Sequence, residues 1–189
     1  MKDNMTNKKG INGKWTMIAV LIAIIVGSVA LDQITKYLTV QYLQPEGAAG
    51  SFHLWEGVLH LTYVKNPGAA WGMLADHRWV FMSFSTVAII GIGVYLFGFS
   101  KDTAWVKISL AMVVGGGIGN MIDRVWLGYV VDFIDFTLID FPVFNVADSF
   151  VTVGAGMLMA FLIRDFIAEV KASKSQEKGK DASDDGNGA

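Results

Sequence analysis

Four aspartates crowd one short stretch, "VVDFIDFTLIDFPVFNVADS" (Val130–Ser149): Asp132, Asp135, Asp140 and Asp148. No Lys, Arg or His occurs from Val125 to Ile163, so nothing close in sequence neutralises them. The rest of the stretch is as apolar as a buried strand. Two carboxylates in contact cannot both ionise easily. They share a proton, and one can act as base on a water while the other acts as acid toward a carbonyl. Clustered aspartates can instead bind Mg²⁺ for phospholipid headgroup transfer. A proton- or cation-coupled transporter draws on the same residue type. Residue types lean only slightly to the first chemistry, and an all-oxygen acidic set fits Mg²⁺ too. There is no cysteine, which excludes disulfides, thiolate metal sites and a Cys nucleophile. His53, His60 and His77 are scattered without metal-ligand spacing and read as ordinary interfacial residues.

The elements that must position these groups are membrane spans. The chain has 189 residues, 53% hydrophobic and only 17% charged, with a mean hydropathy of +0.45; a soluble domain carries about 25% charge. A small polytopic membrane protein forming one bundle follows. The net charge of −2 gives no basic character suited to nucleic acid. Against the roughly 20 residues needed to cross a bilayer, four spans are expected, at about 15–38, 79–100, 103–123 and 146–166. An N-tail (1–14), outer loops at about 39–78 and 124–145, and a polar, disordered tail (171–189) complete the single membrane domain. Lys8, Lys9 and Lys14 before the first span, with "SVA" (Ser28–Ala30) inside it, also resemble a cleavable signal peptide. The apolar run is long for one, and the polar residues beyond it fit the other spans.

Orientation follows from the basic residues. Lys2, Lys8, Lys9, Lys14, Lys101, Lys107, Arg164, Lys171, Lys174, Lys178 and Lys180 fall on one side, which places both termini in the cytoplasm. Gly91, Gly93, Gly115, Gly116, Gly117, Gly119, Gly154 and Gly156 lie inside spans and read as faces where helices approach closely. "GGGIG" (Gly115–Gly119) lacks the Gly-Lys-Ser/Thr ending of a phosphate loop.

The polar residues of the spans converge. Asp32 and Lys36 end the first span, Asn66 precedes the second, Asn120, Asp123 and Arg124 end the third, and Asn145 and Asp148 start the fourth. Alternating span directions bring all of these to one membrane face. A charge inside a membrane segment costs about 2.5–3.5 kcal/mol even on the lenient insertion scale, so such residues face the bundle interior. Asp32 and Lys36 are four apart, as are Asn120 and Arg124, and each pair shares a helix face. An ion pair fixing a helix end accounts equally well for Asp32–Lys36. Asn145 and Asp148, three apart, fit a helix cap, although a cap does not require both. In the outer loop, Pro45–Val64 suits a short sheet or hairpin. Asn66-Pro67-Gly68 is a turn signal, and Ala69-Ala70-Trp71 suits the headgroup level.

Four motifs occur in order along these spans: "LDQITKYL", "KNPGAAWGML", "GGGIGNMIDRVWLGYVVDFIDF" and "FPVFNVADS". With them the chain closely resembles the bacterial lipoprotein signal peptidases (signal peptidase II), over roughly 26–164. The interval between "VVDF" and "NVAD" is slightly short for that family, which affects only the connecting loop. The resemblance implies an intramembrane aspartyl endopeptidase. It implies a catalytic pair, Asp132 and Asp148, and a diacylglyceryl-modified prolipoprotein substrate cut before its lipidated cysteine. It implies that Asp32, Lys36, Asn66, Gly68, Asn120, Arg124, Asn145 and Ala147 shape the site or hold substrate. Asp123 also matches a motif position, and its adjacency to Arg124 favours a structural ion pair. Asp135 and Asp140 are expected as solvated loop acids. No metal, cofactor or nucleic acid is expected. The partners are the prolipoprotein and membrane lipid, and the protein is expected as a monomer in the bacterial cytoplasmic (inner) membrane with its site near the outer face. The expected fold is an all-α membrane bundle of four transmembrane helices with a small extracytoplasmic β-rich subdomain. The alternatives are a Mg²⁺-dependent phospholipid headgroup enzyme using Asp32, Asp123, Asp132 and Asp148, and a non-enzymatic transporter or interaction protein.

Overall fold

The structure, a computed structural model, describes residues 2–44, 50–68, 78–139 and 141–184. The expectations for Ala69, Ala70, Trp71, His77 and Asp140 fall outside them. Helix α1 (Lys2–Tyr42) leads into a hairpin of β1 (Phe52–Trp55) and β2 (Leu59–Asn66). Helix α2 (Arg78–Val94) ends in a π-helical turn, Tyr95–Phe99, and is followed by α3 (Ala104–Trp126). Strand β3 (Val130–Asp135), a short 3₁₀ turn (Thr137–Ile139) and α4 (Val146–Asp184) complete the chain. Four stretches are long and apolar enough to cross a membrane: Gly13–Tyr42, Met82–Phe99, Ala104–Trp126 and Val146–Ser173.

Helix α3 is the hub, packing against α1, α2 and α4. Its neighbours turn Val87, Ile90, Val94, Val153 and Leu162 outward, as a helix facing lipid does. Lipid tails are as apolar as those side chains, so helix association must come from close packing and polar contacts instead. Glycine provides the close packing. A Cβ on Gly115 would collide with Ser28 Oγ, and one on Gly116 with the Ala147 carbonyl. At Gly119 it would lie 2.6 Å from Asp32 Oδ2, and at Gly154 2.7 Å from the Ser109 carbonyl. Gly91, Gly93 and Gly156 differ from expectation: nothing lies within 4 Å of a Cβ there. Gly91 and Gly156 are exposed and Gly93 is half-buried. Ser28, 2% exposed and seated against Gly115, lies mid-helix in the packed face of α1.

The three strands form an antiparallel sheet in the order β1-β2-β3. The hairpin expected within Pro45–Val64 is β1–β2, with Gly57 at φ 71° in its turn. The third strand was expected as loop. Leu127 and Gly128 N–H groups both reach the Asp123 carbonyl at the end of α3, with Gly128 at φ 85°. This left-handed helix stop turns the chain at once into β3, whose Val131 and Asp132 pair with Lys65 and Val64. Asp135 is therefore not a loop acid. It ends β3, half-buried, and accepts a hydrogen bond from Thr62 Oγ1 at 3.1 Å. His53 and His60 face each other across β1–β2 with rings stacked 4.0 Å apart. The polar tail also departs from expectation, because α4 continues helically to Asp184. Its Ala, Lys, Glu and Gln are good helix formers, and they extend a helix already nucleated in the span.

Substituting Gly154→Ala should destabilise the α3–α4 contact by about 1–3 kcal/mol through overpacking. Gly91→Ala and Gly156→Ala should cause no loss. Thermal unfolding of the three variants in detergent checks the contrast.

Candidate active site

The site begins with a buried cation. Lys36 is 3% exposed and lies on α1 one turn beyond Asp32. An ammonium has three hydrogens to place, and here each finds an acceptor. Asp32 Oδ2 lies at 2.9 Å, Asp123 Oδ2 at 2.9 Å and Asn120 Oδ1 at 2.9 Å. The (i, i+4) pair within α1 is thus one arm of a knot that ties α1 to α3. Asp123 has the structural ion-pair role expected of it, but with Lys36 rather than Arg124. Adjacent residues on a helix point about 100° apart, so Asp123 turns to α1 while Arg124 turns away.

The knot orients the rest. Asn120 Oδ1 also accepts from Asn145 Nδ2 at 3.0 Å. With its oxygen so occupied, Asn120 directs its Nδ2 to Asp148 Oδ1 at 2.7 Å. Asp32 Oδ1 accepts the Ala147 N–H at 2.9 Å, one of the unpaired donors at the start of α4. Ala147 is fully buried, so this junction admits only a small residue. Asn145 caps the same helix. Its Oδ1 accepts the Asp148 N–H at 2.9 Å, and Asp148 Oδ2 accepts the Asn145 N–H at 3.2 Å. This is a reciprocal capping box, so capping and the site use the same two side chains.

Asp132 arrives from the sheet. Its side chain shares a face of β3 with Val130, which stands opposite Asn66 on β2. Asn66 Nδ2 donates to Asp132 Oδ2 at 2.8 Å, and Asn145 Nδ2 donates to Asp132 Oδ1 at 2.6 Å. The Gly68 N–H occupies Asn66 Oδ1 at 3.1 Å, the local bond of an Asx turn, which leaves the Asn66 NH₂ for Asp132. Arg124 Nη2 donates to the Gly68 carbonyl at 3.2 Å, and its Nη1 reaches the Asn120 carbonyl at 3.3 Å. Asn145 is therefore the one amide that touches both Asp132 and Asp148 among the described contacts. All ten candidate residues from the sequence lie at this end of the bundle, and Gln33 is an unexpected addition. Its Nε2 donates to Asp123 Oδ1 at 2.9 Å. A polar residue between Asp32 and Lys36 in an apolar run was the available signal.

Burial pushes the Asp132 carboxyl up from 3.8 to about 7. The nearby Asp148 charge adds to the shift, while hydrogen bonds from Asn66 and Asn145 and the Lys36 charge oppose it. The segment that carries these aspartates has no cation of its own, but Lys36 from α1 and Arg124 from α3, both expected at the site, lie within electrostatic range of Asp132. Two carboxylates already engage Lys36, which is why burial still governs Asp132.

Asp132 and Asp148 both line a cavity of about 1150 Å³. Phe84, Ala88, Ile89 and Ile92 of α2, Val113 and Gly117 of α3, and Val151 of α4 supply apolar walls. Asn66, Asn120 and Arg124 also line it, as do Phe136, Phe141 and Phe144. Asp32 and Asp123 do not join them, since both are spent on Lys36. The four-carboxylate Mg²⁺ arrangement is not formed. Among the described residues no group of three or more His, Cys, Asp or Glu side chains is arranged to hold a metal ion.

Four helices among the described residues are long and apolar enough to cross a membrane, and two aspartates line the cavity between them; comparison with known proteins places this arrangement in a family of integral-membrane peptidases. The family described as Signal peptidase (SPase) II matches residues 20–164. A lipoprotein signal peptidase of Brevibacillus brevis is 45% identical over 145 residues, covering 77% of this chain and 94% of that protein. One from Caldanaerobacter subterraneus is 49% identical over 144 residues, covering 74% and 95%. One from Halalkalibacterium halodurans is 40% identical over 163 residues, covering 85% and 99%. A bacterial membrane enzyme solved by the in meso method superposes with a TM-score of 0.72 at 33% identity, covering 79% of this chain and 90% of that one. The chain belongs to the signal peptidase II family.

Two outcomes follow from the geometry. Lys36→Met leaves Asp32 and Asp123 buried without their cation and should cost about 3–5 kcal/mol of stability; adding Asp123→Asn should recover part of it, as read by unfolding in detergent. The second concerns pH. Between 3.8 and about 7 folded Asp132 holds a proton that the unfolded chain has lost, so its contribution to stability falls as pH rises through that window. Unfolding midpoints of wild type and Asp132→Asn across this range should fall more steeply with pH in the wild type.

Proposed function

We propose that this peptidase removes the signal peptide from diacylglyceryl-modified prolipoproteins, cutting before the lipidated cysteine, with Asp132 and Asp148 as its catalytic pair. The observation that carries the reading is that these two aspartates, bridged by Asn145, are the carboxylates on the large cavity. The names of the relatives support the substrate. An apolar cavity walled by α2, α3 and α4 suits acyl chains and an apolar signal peptide, which can then reach the carboxylates without leaving the membrane.

Burial raises the Asp132 carboxyl to about 7, which suits it to the protonated role in the pair. Asp148 then takes a proton from water. The hydroxide adds to the scissile carbonyl, and Asp132 hydrogen-bonds the developing oxyanion. The C–N bond breaks as a dyad proton passes to the leaving amine, and the pair is restored with one proton between its members. Asn66, Asn120 and Asn145 hold the carboxylates in place. Arg124, which binds the Gly68 carbonyl, secures the turn beside the cleft. The chain works as a monomer in the cytoplasmic membrane of a bacterium. Both termini are cytoplasmic and the catalytic end lies at the outer face, as the distribution of Lys and Arg favours.

Cleavage of a lipid-modified precursor by purified protein tests this. Asp132→Asn and Asp148→Asn should each abolish processing, and Asp135→Asn should stay within about twofold of wild type, since removing one member of a catalytic unit removes nearly all its activity. EDTA should leave the rate unchanged. Full activity in either of the first two variants sinks the assignment, and EDTA sensitivity revives the Mg²⁺ chemistry.

A further inference from the structure

Strand β3 carries Asp132, and among the described residues its outer edge meets only an isolated bridge, Ile134 with Phe144. Farther along, the Phe133 and Ile134 N–H groups both reach the Phe144 carbonyl, at 3.0 and 2.7 Å. At its start, the Val131 N–H donates to Asp123 Oδ2 at 3.0 Å, and the Val131 carbonyl accepts from Asn145 Nδ2 at 3.3 Å. The residue next to Asp132 is thus clamped at its N–H by α3 and at its carbonyl by α4. The clamp is only as firm as the Asp123 carboxylate. Lys36 holds its Oδ2, already shared with Val131. Gln33 holds its Oδ1 at 2.9 Å, and the same amide lies 3.2 Å from both Asp32 Oδ2 and the Gly119 carbonyl. Gln33 Nε2 has acceptors on every side, so the carboxylate it grips cannot rotate without losing a bond. Glutamine adds this grip without adding charge, where a carboxylate would stand as a third anion beside Asp32 and Asp123 against one lysine.

We propose that Gln33 is a positioning residue for the reaction: through Asp123 and the Val131 peptide it fixes the strand that carries Asp132. This rests on the catalytic pair proposed above. Gln33 touches neither Asp132 nor Asp148 in the described contacts, so its effect must pass through the backbone of β3. A displacement of the order of 1 Å at a reacting group can cost about a hundredfold in rate.

The test uses the full chain in lipid nanodiscs with a lipid-modified precursor. Gln33→Met keeps the side chain's length and removes its donor; Gln33→Glu also adds the unwanted charge. Each should lower kcat by about ten- to a hundredfold and leave KM within about twofold, with Gln33→Glu the more severe. Amide exchange at Val131 should become faster in both, while exchange in the middle of α4 stays at the wild-type rate. An unchanged kcat, a change confined to KM, or an unchanged Val131 exchange rate overturns the proposal. So does loss of protection throughout the chain, which would make Gln33 a structural residue only. Asp132→Asn is measured alongside. Full activity there overturns the catalytic pair, while the exchange data still report whether Gln33 controls Val131.

Discussion

An ammonium group buried in a membrane bundle must satisfy each of its hydrogens and balance its charge, because neither water nor lipid will do so. Lys36 meets both demands at once, with Asp32, Asp123 and Asn120 at bonding distance. Desolvating two carboxylates and an ammonium is costly, and such a knot is not in itself a strong source of stability. Its contribution is geometric. Two of the three contacts, to Asp123 and Asn120, cross from α1 to α3 and hold the two helices in one relative placement. Gly119 makes that placement sterically possible, since any side chain there would meet the Asp32 carboxylate.

The polar end of the bundle is built outward from this point. The second oxygen of Asp32 caps the start of α4 through Ala147. Asp123 holds Val131 at the start of β3. Asn120, its oxygen turned to Lys36 and Asn145, presents its NH₂ to Asp148. One charge on α1 therefore positions the strand that carries one aspartate and the helix that carries the other. Asn145 joins the two lines, bonded to Asp132 through its side chain and to Asp148 through a capping box. The amides are neutral, so they bond to both carboxylates without placing a further charge beside either.

Polar groups also do here what hydrophobicity does in water. Helices in lipid gain little from burying leucine, and the apolar cluster of Leu21, Leu96 and Ala111 lies toward the opposite end of the bundle. Close glycine contacts along α3 and the polar network at its end locate its neighbours. Helix α2, which shows mainly apolar residues to the cavity, takes little part in that network and instead forms a wall of the cleft.

The sequence by itself determined the four apolar spans, their alternating directions and hence the gathering of Asp32, Lys36, Asn120, Asp148 and their neighbours at one end. Those follow from hydropathy and chain connectivity alone. The ordered motifs carried the family, and with it the choice of Asp132 and Asp148 over other aspartates. Tertiary structure decided the partners. Asp123 turned to Lys36 and not to its neighbour Arg124, and Gln33 entered the network. A stretch expected as loop became the strand that presents Asp132. The reason is that position along a helix sets only the direction in which a side chain points from its own axis. Which face of the next helix it meets depends on how the helices rotate against each other. In lipid that rotation is set by the close contacts and polar bonds between them, which exist only once the bundle has formed.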